Sequence, residues 1–123
     1  MNKKITFTLI LMLGFLNQLM AIQIMIPMDE TQKQHLRAYG IAYYLLDKGI
    51  EVDWLLNYKG GSFMFPYNVE YEKECILRGV LYEQKTESEA NGIIATINNP
   101  DVNMNDLKLL RAPKIAVYSP KSK

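Results

Sequence analysis

Cysteine and histidine each occur once in this 123-residue sequence. A single thiol cannot close an internal disulfide, so the fold must rest on its core. Cys75, next to Ile76 and Leu77 in a predicted helix, reads as a buried and inert side chain. With His35 alone, neither a histidine metal cage nor a pair of imidazoles for acid–base work can be built. No metal, no cofactor and no catalytic residue is expected. A Cys75–His35 nucleophile pair is opposed by the placement of both on predicted helices, away from strand ends. An excess of charge is also missing: 14 basic side chains face 13 acidic ones. That balance excludes the basic field that nucleic-acid binding needs. Two phosphate signatures are absent as well. Where Gly-x-Gly-x-x-Gly would follow the first strand stands Pro27-Met28-Asp29-Glu30-Thr31-Gln32, and no Gly-x-x-x-x-Gly-Lys-Ser/Thr loop occurs. Without those glycines Asp53 reads as a strand residue near a sheet edge or helix end, not as a ribose-binding acid.

The long apolar run lies at the start. Lys3 and Lys4 precede Ile5–Leu16, and Ala21 supplies a small residue at a cleavage site, which reads as an export signal over residues 1–21. The run falls short of the roughly 20 residues a bilayer crossing needs, although Leu19 fits the cleavage pattern poorly and an uncleaved anchor is the alternative. No cysteine near the cut supports a lipid anchor. Residues 22–123 then form one small domain of 102 residues with 12 basic and 13 acidic groups, a net charge near −1. The expected setting is periplasmic or extracellular, with membrane contact only through the signal.

What is present is an alternation of strand and helix signals. Ile22–Met28 is a short apolar run, followed by Asp29-Glu30-Thr31-Gln32, a capping-box pattern that places a helix start at Asp29. Its apolar spacing runs through Leu36, Tyr39, Ala42, Tyr43 and Leu46 to Gly49, and Ile50–Leu56 follows as a second strand. Phe63-Met64-Phe65 is a short strand or a loop laid on the core. Asn68 caps a helix ending at Gly79, Val80–Glu83 is a third strand, and Thr86–Glu89 opens a helix that ends near Asn98. One helical turn is expected within Asp101–Arg111, and Lys114–Tyr118 is a fourth strand between prolines. The pattern predicts an α/β domain with a parallel sheet of about four strands flanked by helices. The helix due after Pro120 is missing, so the chain is expected to be the front part of a longer protein. A complete chain would be expected to dimerise over its open sheet face.

In such a sheet ligands gather at the strand carboxyl ends. There the sequence places Asp29, then Asn57 and Lys59 with the Gly60-Gly61-Ser62 turn, and Ser119 after the fourth strand. Backbone N–H groups of a glycine turn beside an ammonium make a site for a small anion, a carboxylate or a phosphate. The alternative is a surface loop whose glycines only permit positive φ. Asp29 and Glu30 are better placed to stabilise a helix N-terminus than to act as an acid–base pair. Tyr39, Tyr43 and Tyr44 could form an aromatic platform, but the i, i+4 spacing of Tyr39 and Tyr43 favours packing on the sheet.

Three stretches carry a family resemblance: Ile26–Lys33, His35–Tyr43 and Val52–Phe63, with Ala112–Lys121 also similar. They resemble exported bacterial proteins labelled asparagine synthetase B. The resemblance implies a Rossmann-like, flavodoxin- or amidotransferase-like sheet and a chain continuing well past Lys123. It carries no catalytic residue over. A glutamine-dependent synthetase has a cysteine directly after Met1, where this chain has Asn2, and a Ser-Gly-Gly-x-Asp-Ser loop, which Lys59-Gly60-Gly61-Ser62-Phe63 is not. The expected function is a non-catalytic α/β domain of an exported protein that binds a small anion or a protein partner. The alternative is an enzyme, the labelled glutamine-hydrolysing synthetase included, whose active site lies in downstream sequence.

Overall fold

A computed structural model of the chain describes residues 21–113. Residues 1–20 of the expected signal, the expected strand Lys114–Tyr118 and Ser119 lie outside the described residues. The elements run β1 (Ile22–Ile26), α1 (His35–Asp47), β2 (Val52–Leu56), β3 (Ser62–Pro66), α2 (Val69–Leu77), β4 (Glu83–Thr86), α3 (Glu87–Ile97) and β5 (Asn105–Leu109). They build one five-stranded sheet of order β4-β1-β3-β2-β5 in which every pairing is antiparallel.

This overturns the parallel, Rossmann-like sheet expected from the sequence. β1 and β2 do run in the same direction with α1 crossing between them, since both are antiparallel to β3. They are not neighbours, because β3 turns back from β2 and enters the gap, pairing Ile24 with Phe65 on one side and Trp54 with Phe63 on the other. β3 and β4 repeat the arrangement around β1, joined by α2. Two interleaved split β-α-β units result, the connectivity of ferredoxin-like domains, extended here by α3 and β5. The sequence misleads because both sheet faces are covered. Ile24, Ile26, Val52, Phe63 and Phe65 pack under α1 and α2 with Ala38, Ile41, Leu45 and Cys75. Met25, Leu55 and Met64 point the other way, to Ala90 and Ile97 of α3. A strand buried on both faces reads as a continuous apolar run, which is also how a parallel strand reads.

Local signals place most helix ends. Asn68 accepts the Glu70 N–H at the start of α2, and Thr86 with Glu89 completes the capping box of α3. Both α1 and α2 close in Schellman motifs. Ile50 N–H reaches Leu45 O and Gly49 N–H reaches Leu46 O; Val80 and Gly79 do the same with Cys75 and Ile76. Val80 is therefore the apolar clasp of a helix end, and the expected strand Val80–Glu83 begins only at Glu83. The expected helical turn in Asp101–Arg111 is instead β5, where Leu107 and Leu109 alternate with Asp106 and Lys108.

The start of α1 also differs from expectation. Its N-cap position is Gln34, without a side-chain cap, while Asp29 accepts from the N–H and hydroxyl of Thr31 in a separate turn. Gln32 is buried and serves the other side of the core. Its Nε2 donates to Pro27 O at 3.1 Å and Leu81 O at 2.9 Å, and its Oε1 accepts the Leu81 N–H at 3.1 Å. One carboxamide thus ties the β1–α1 connection to the α2–β4 connection. Replacing it leaves buried backbone groups without partners, at about 1–3 kcal/mol each. Gln32→Leu is expected to lower unfolding free energy by about 2–4 kcal/mol, read as a fall in the urea midpoint at unchanged slope.

Candidate functional site

The Asn57–Ser62 loop, expected as an anion site, is the turn between β2 and β3, and its groups are held by the fold. β2 and β3 are joined by residues 57–61, in which Asn57, Lys59, Gly60 and Gly61 all have positive φ. The N–H groups of Gly61 and Ser62 both donate to Tyr58 O, and the fully buried Ser62 hydroxyl donates to the same oxygen at 2.9 Å. Asn57 Nδ2 donates to Asn103 O at 3.0 Å. Lys59 places its ammonium 3.7 Å from Glu83 Oε2, and its carbonyl accepts the Met28 N–H at 2.9 Å. Asp29 lies alongside; the Thr31 hydroxyl holds its carboxyl below the usual range, with the Lys59 charge assisting. The structure thus brings Asp29 to the Asn57–Ser62 loop, while Ser119 lies outside the described residues.

Gly60 is the close approach in this loop. At φ +77°, a Cβ there would overlap the Met28 carbonyl, whereas a Cβ on Gly49, at φ +81°, meets nothing within 4 Å. The two glycines share the left-handed conformation and differ in what surrounds them. Gly49→Ala is therefore expected to cost only the left-handed penalty of about 1–2 kcal/mol. Gly60→Ala adds a clash with backbone and is expected to cost at least about 3 kcal/mol. Chemical denaturation of the two variants gives the comparison.

The single-copy groups Cys75 and His35 each have their own surroundings. Cys75 is buried, and burial pushes its thiol up to about 11, which disfavours the thiolate. His35 sets its Nε2 3.1 Å from both Met28 O and Asp29 O. Among the described residues no group of three or more His, Cys, Asp or Glu could hold a metal ion. No helix among them is long and apolar enough to cross a membrane.

An open apolar concave surface lies elsewhere, between α1 and the β2–β5 end of the sheet. It is a groove of about 250 Å³ lined by Tyr39, Tyr43, Trp54, Phe63, Leu109 and Pro113, with Ala42 and Leu46 contributed by α1. Phe63 organises the rings. Trp54 stacks on it at 6.1 Å and 22°, and Tyr39 meets it edge-on at 5.8 Å. The Trp54 indole N–H donates to Gly61 O at 3.1 Å, so the loop fixes the largest ring while using its one donor. Tyr39 is 51% exposed and Tyr43 39%. The i, i+4 tyrosines expected to pack on the sheet therefore form the outer wall of a groove. The sequence signal for it was strand alternation: Val52 and Trp54 share one face, as do Leu107 and Leu109.

On the opposite face, Gln23, Glu51, Asp53, Pro66 and Lys108 line a polar hollow of about 160 Å³. Lys108 lies 3.7 Å from Glu51 and 3.9 Å from Asp53. Burial, and then the Asp106 charge, push the Asp53 carboxyl above its ordinary 3.8 despite Lys108. A raised carboxyl binds its proton more tightly in the folded state. Its contribution to stability is thus present at low pH and is lost as pH rises from the unfolded value through the folded one. Asp53→Asn is expected to raise the melting temperature at pH 7, with the gain shrinking as pH falls towards 4, in thermal melts across that range.

Comparison with protein-family models, curated proteins and solved structures returns no significant match.

Proposed function

We propose that this chain is a non-catalytic binding module whose ligand lies in the groove between α1 and the β2–β5 end of the sheet. The ligand class is an uncharged, largely apolar molecule or side chain carrying an aromatic ring. The observation behind this reading is the lining itself: four aromatic side chains, of which Tyr39 and Trp54 both contact Phe63, with Tyr39 and Tyr43 substantially exposed, around a volume of about 250 Å³. Exposed rings held in place by a fold offer large contact area at little cost in side-chain entropy. The indole donor is already used, so affinity rests on apolar burial and ring geometry. The basic and apolar segment at residues 1–21 supports an exported setting for the module.

This reading differs in ligand charge from the anion expected at the glycine loop. An anion at Lys59 would compete with Glu83 and sit beside Asp29. The groove contains neither charge.

Trp54 is the single tryptophan of the chain, so its indole N–H resonance reports the groove alone. Titration of the protein with 2-naphthol is expected to shift that resonance saturably, and Tyr43→Ala to weaken binding about tenfold, the scale of one lost ring contact. An indole resonance that stays in place up to millimolar 2-naphthol would sink the proposal. So would equal affinity of the Tyr43→Ala protein.

A further inference from the structure

We infer that β5 is a self-complementary docking edge, and that two copies of this chain associate through antiparallel β5–β5 pairing to continue the sheet across a twofold axis. β5 ends the sheet and, among the described residues, pairs with β2 alone. An unpaired strand edge is a template for a further strand. The sequence of this edge selects which strand fits.

Residues facing each other across two antiparallel strands must point to the same side of the sheet, so a twofold pairing of Asn105–Leu109 with itself centres on Asp106, Leu107 or Lys108. Centring on Asp106 opposes two carboxylates, and centring on Lys108 opposes two ammonium groups. Both arrangements are destabilising. Centring on Leu107 places Leu107 against its own copy and sets each Asp106 opposite the Lys108 of the other copy. This single register joins apolar to apolar and acid to base twice, as a twofold interface demands.

The side chains have the freedom this needs. Leu107 is 45% exposed and Lys108 is 58% exposed at its side chain. Lys108 is shared between Glu51 and Asp53 at 3.7 and 3.9 Å, and Asp106 makes no ion pair among the described residues. The other edge, β4, could also oppose Glu83 to Lys85, but it brings only Gln84 and Thr86 to its alternate positions. It has no apolar side chain to place at a twofold axis. The ligand groove is not part of this argument, so failure of either proposal leaves the other standing. Five paired residues make a small interface, and the association is expected to be weak and concentration-dependent.

Sedimentation velocity over a concentration series of the full chain measures the association. Lys108→Asp turns both opposed pairs into like-charge pairs and is expected to raise the dissociation constant about tenfold or more. Combining it with Asp106→Lys restores opposite charges and is expected to restore the dimer, which a simple loss of folding would not allow. Leu107→Cys is expected to form a disulfide-linked dimer on mild oxidation, since position 107 meets itself at the axis and Cys75 is buried; Asn105→Cys is not. A chain that stays monomeric throughout the series overturns the inference, as does a dimer that Lys108→Asp leaves intact. Slow exchange, in a strict monomer, of the β5 amides that point away from β2 would assign the edge to another part of the same chain, and also overturns it.

Discussion

The position of β3 between β1 and β2 is the constraint on which the remaining structure depends. Ser62, Phe63, Met64 and Phe65 are all at most 3% exposed, so this strand is covered on both faces and paired on both sides. Reaching that slot requires the chain to reverse within residues 57–61. Four left-handed residues supply the reversal, and Gly60 sits directly on the carbonyl of Met28. The Met28 N–H to Lys59 O bond then fastens the turn to the strand that β3 must join. One short loop thus closes the β2–β3 hairpin and fixes β3 against β1. With β3 in place, α1 has to cross over it to connect β1 with β2, and α2 has to cross over β1 to connect β3 with β4.

How much of this can be read from the sequence follows the distance over which each signal acts. Caps and helix ends depend on residues within four or five positions. Asn68, Thr86 with Glu89, Gly49 and Gly79 accordingly mark their helix ends in the sequence as they do in the structure. Strand neighbours depend on contacts tens of residues apart, and there the local pattern was silent or misleading. Ile24–Ile26 is apolar on both faces because α1 with α2 lies on one side and α3 on the other, and such a run does not encode its partner's direction. The Gly60-Gly61-Ser62 turn is ambiguous in sequence, since glycines that bind anions and glycines that reverse a hairpin need the same backbone freedom. Gln32 fell into a capping-box pattern, while its partner, Leu81, lies 49 residues away.

The groove arises from unequal layer widths. α1 and α2 fill their face over β1 and β3, where Ile24, Ile26 and Phe65 are fully buried. β5 widens the sheet beyond β2 without adding a helix on that side among the described residues. Trp54, Phe63 and Leu109 then lie along the flank of α1, and Tyr39 and Tyr43 reach over them. These aromatics were legible as residues that had to pack on something. The empty space beside them was not, because it depends on how far one layer extends past another.

The same added strand explains the uneven charges on the opposite face. Glu51 and Asp53 share one cation, Lys108, while Asp106 makes no ion pair among the described residues, and Asp53 is held with its carboxyl above the ordinary range. Packing alone would have favoured an uncharged side chain at position 53, where β2 lies between β3 and β5. Sequences that agree with their fold at most levels tend to break a local rule where another requirement acts. Here one such conflict falls in the last two strands of the sheet, beside its open edge. Charges at that edge exclude every pairing that would set like against like, and such exclusion gives an exposed strand specificity as well as solubility. The local cost at Asp53 and the selectivity of the β5 edge then share one physical origin: carboxylates outnumber cations where the sheet was extended.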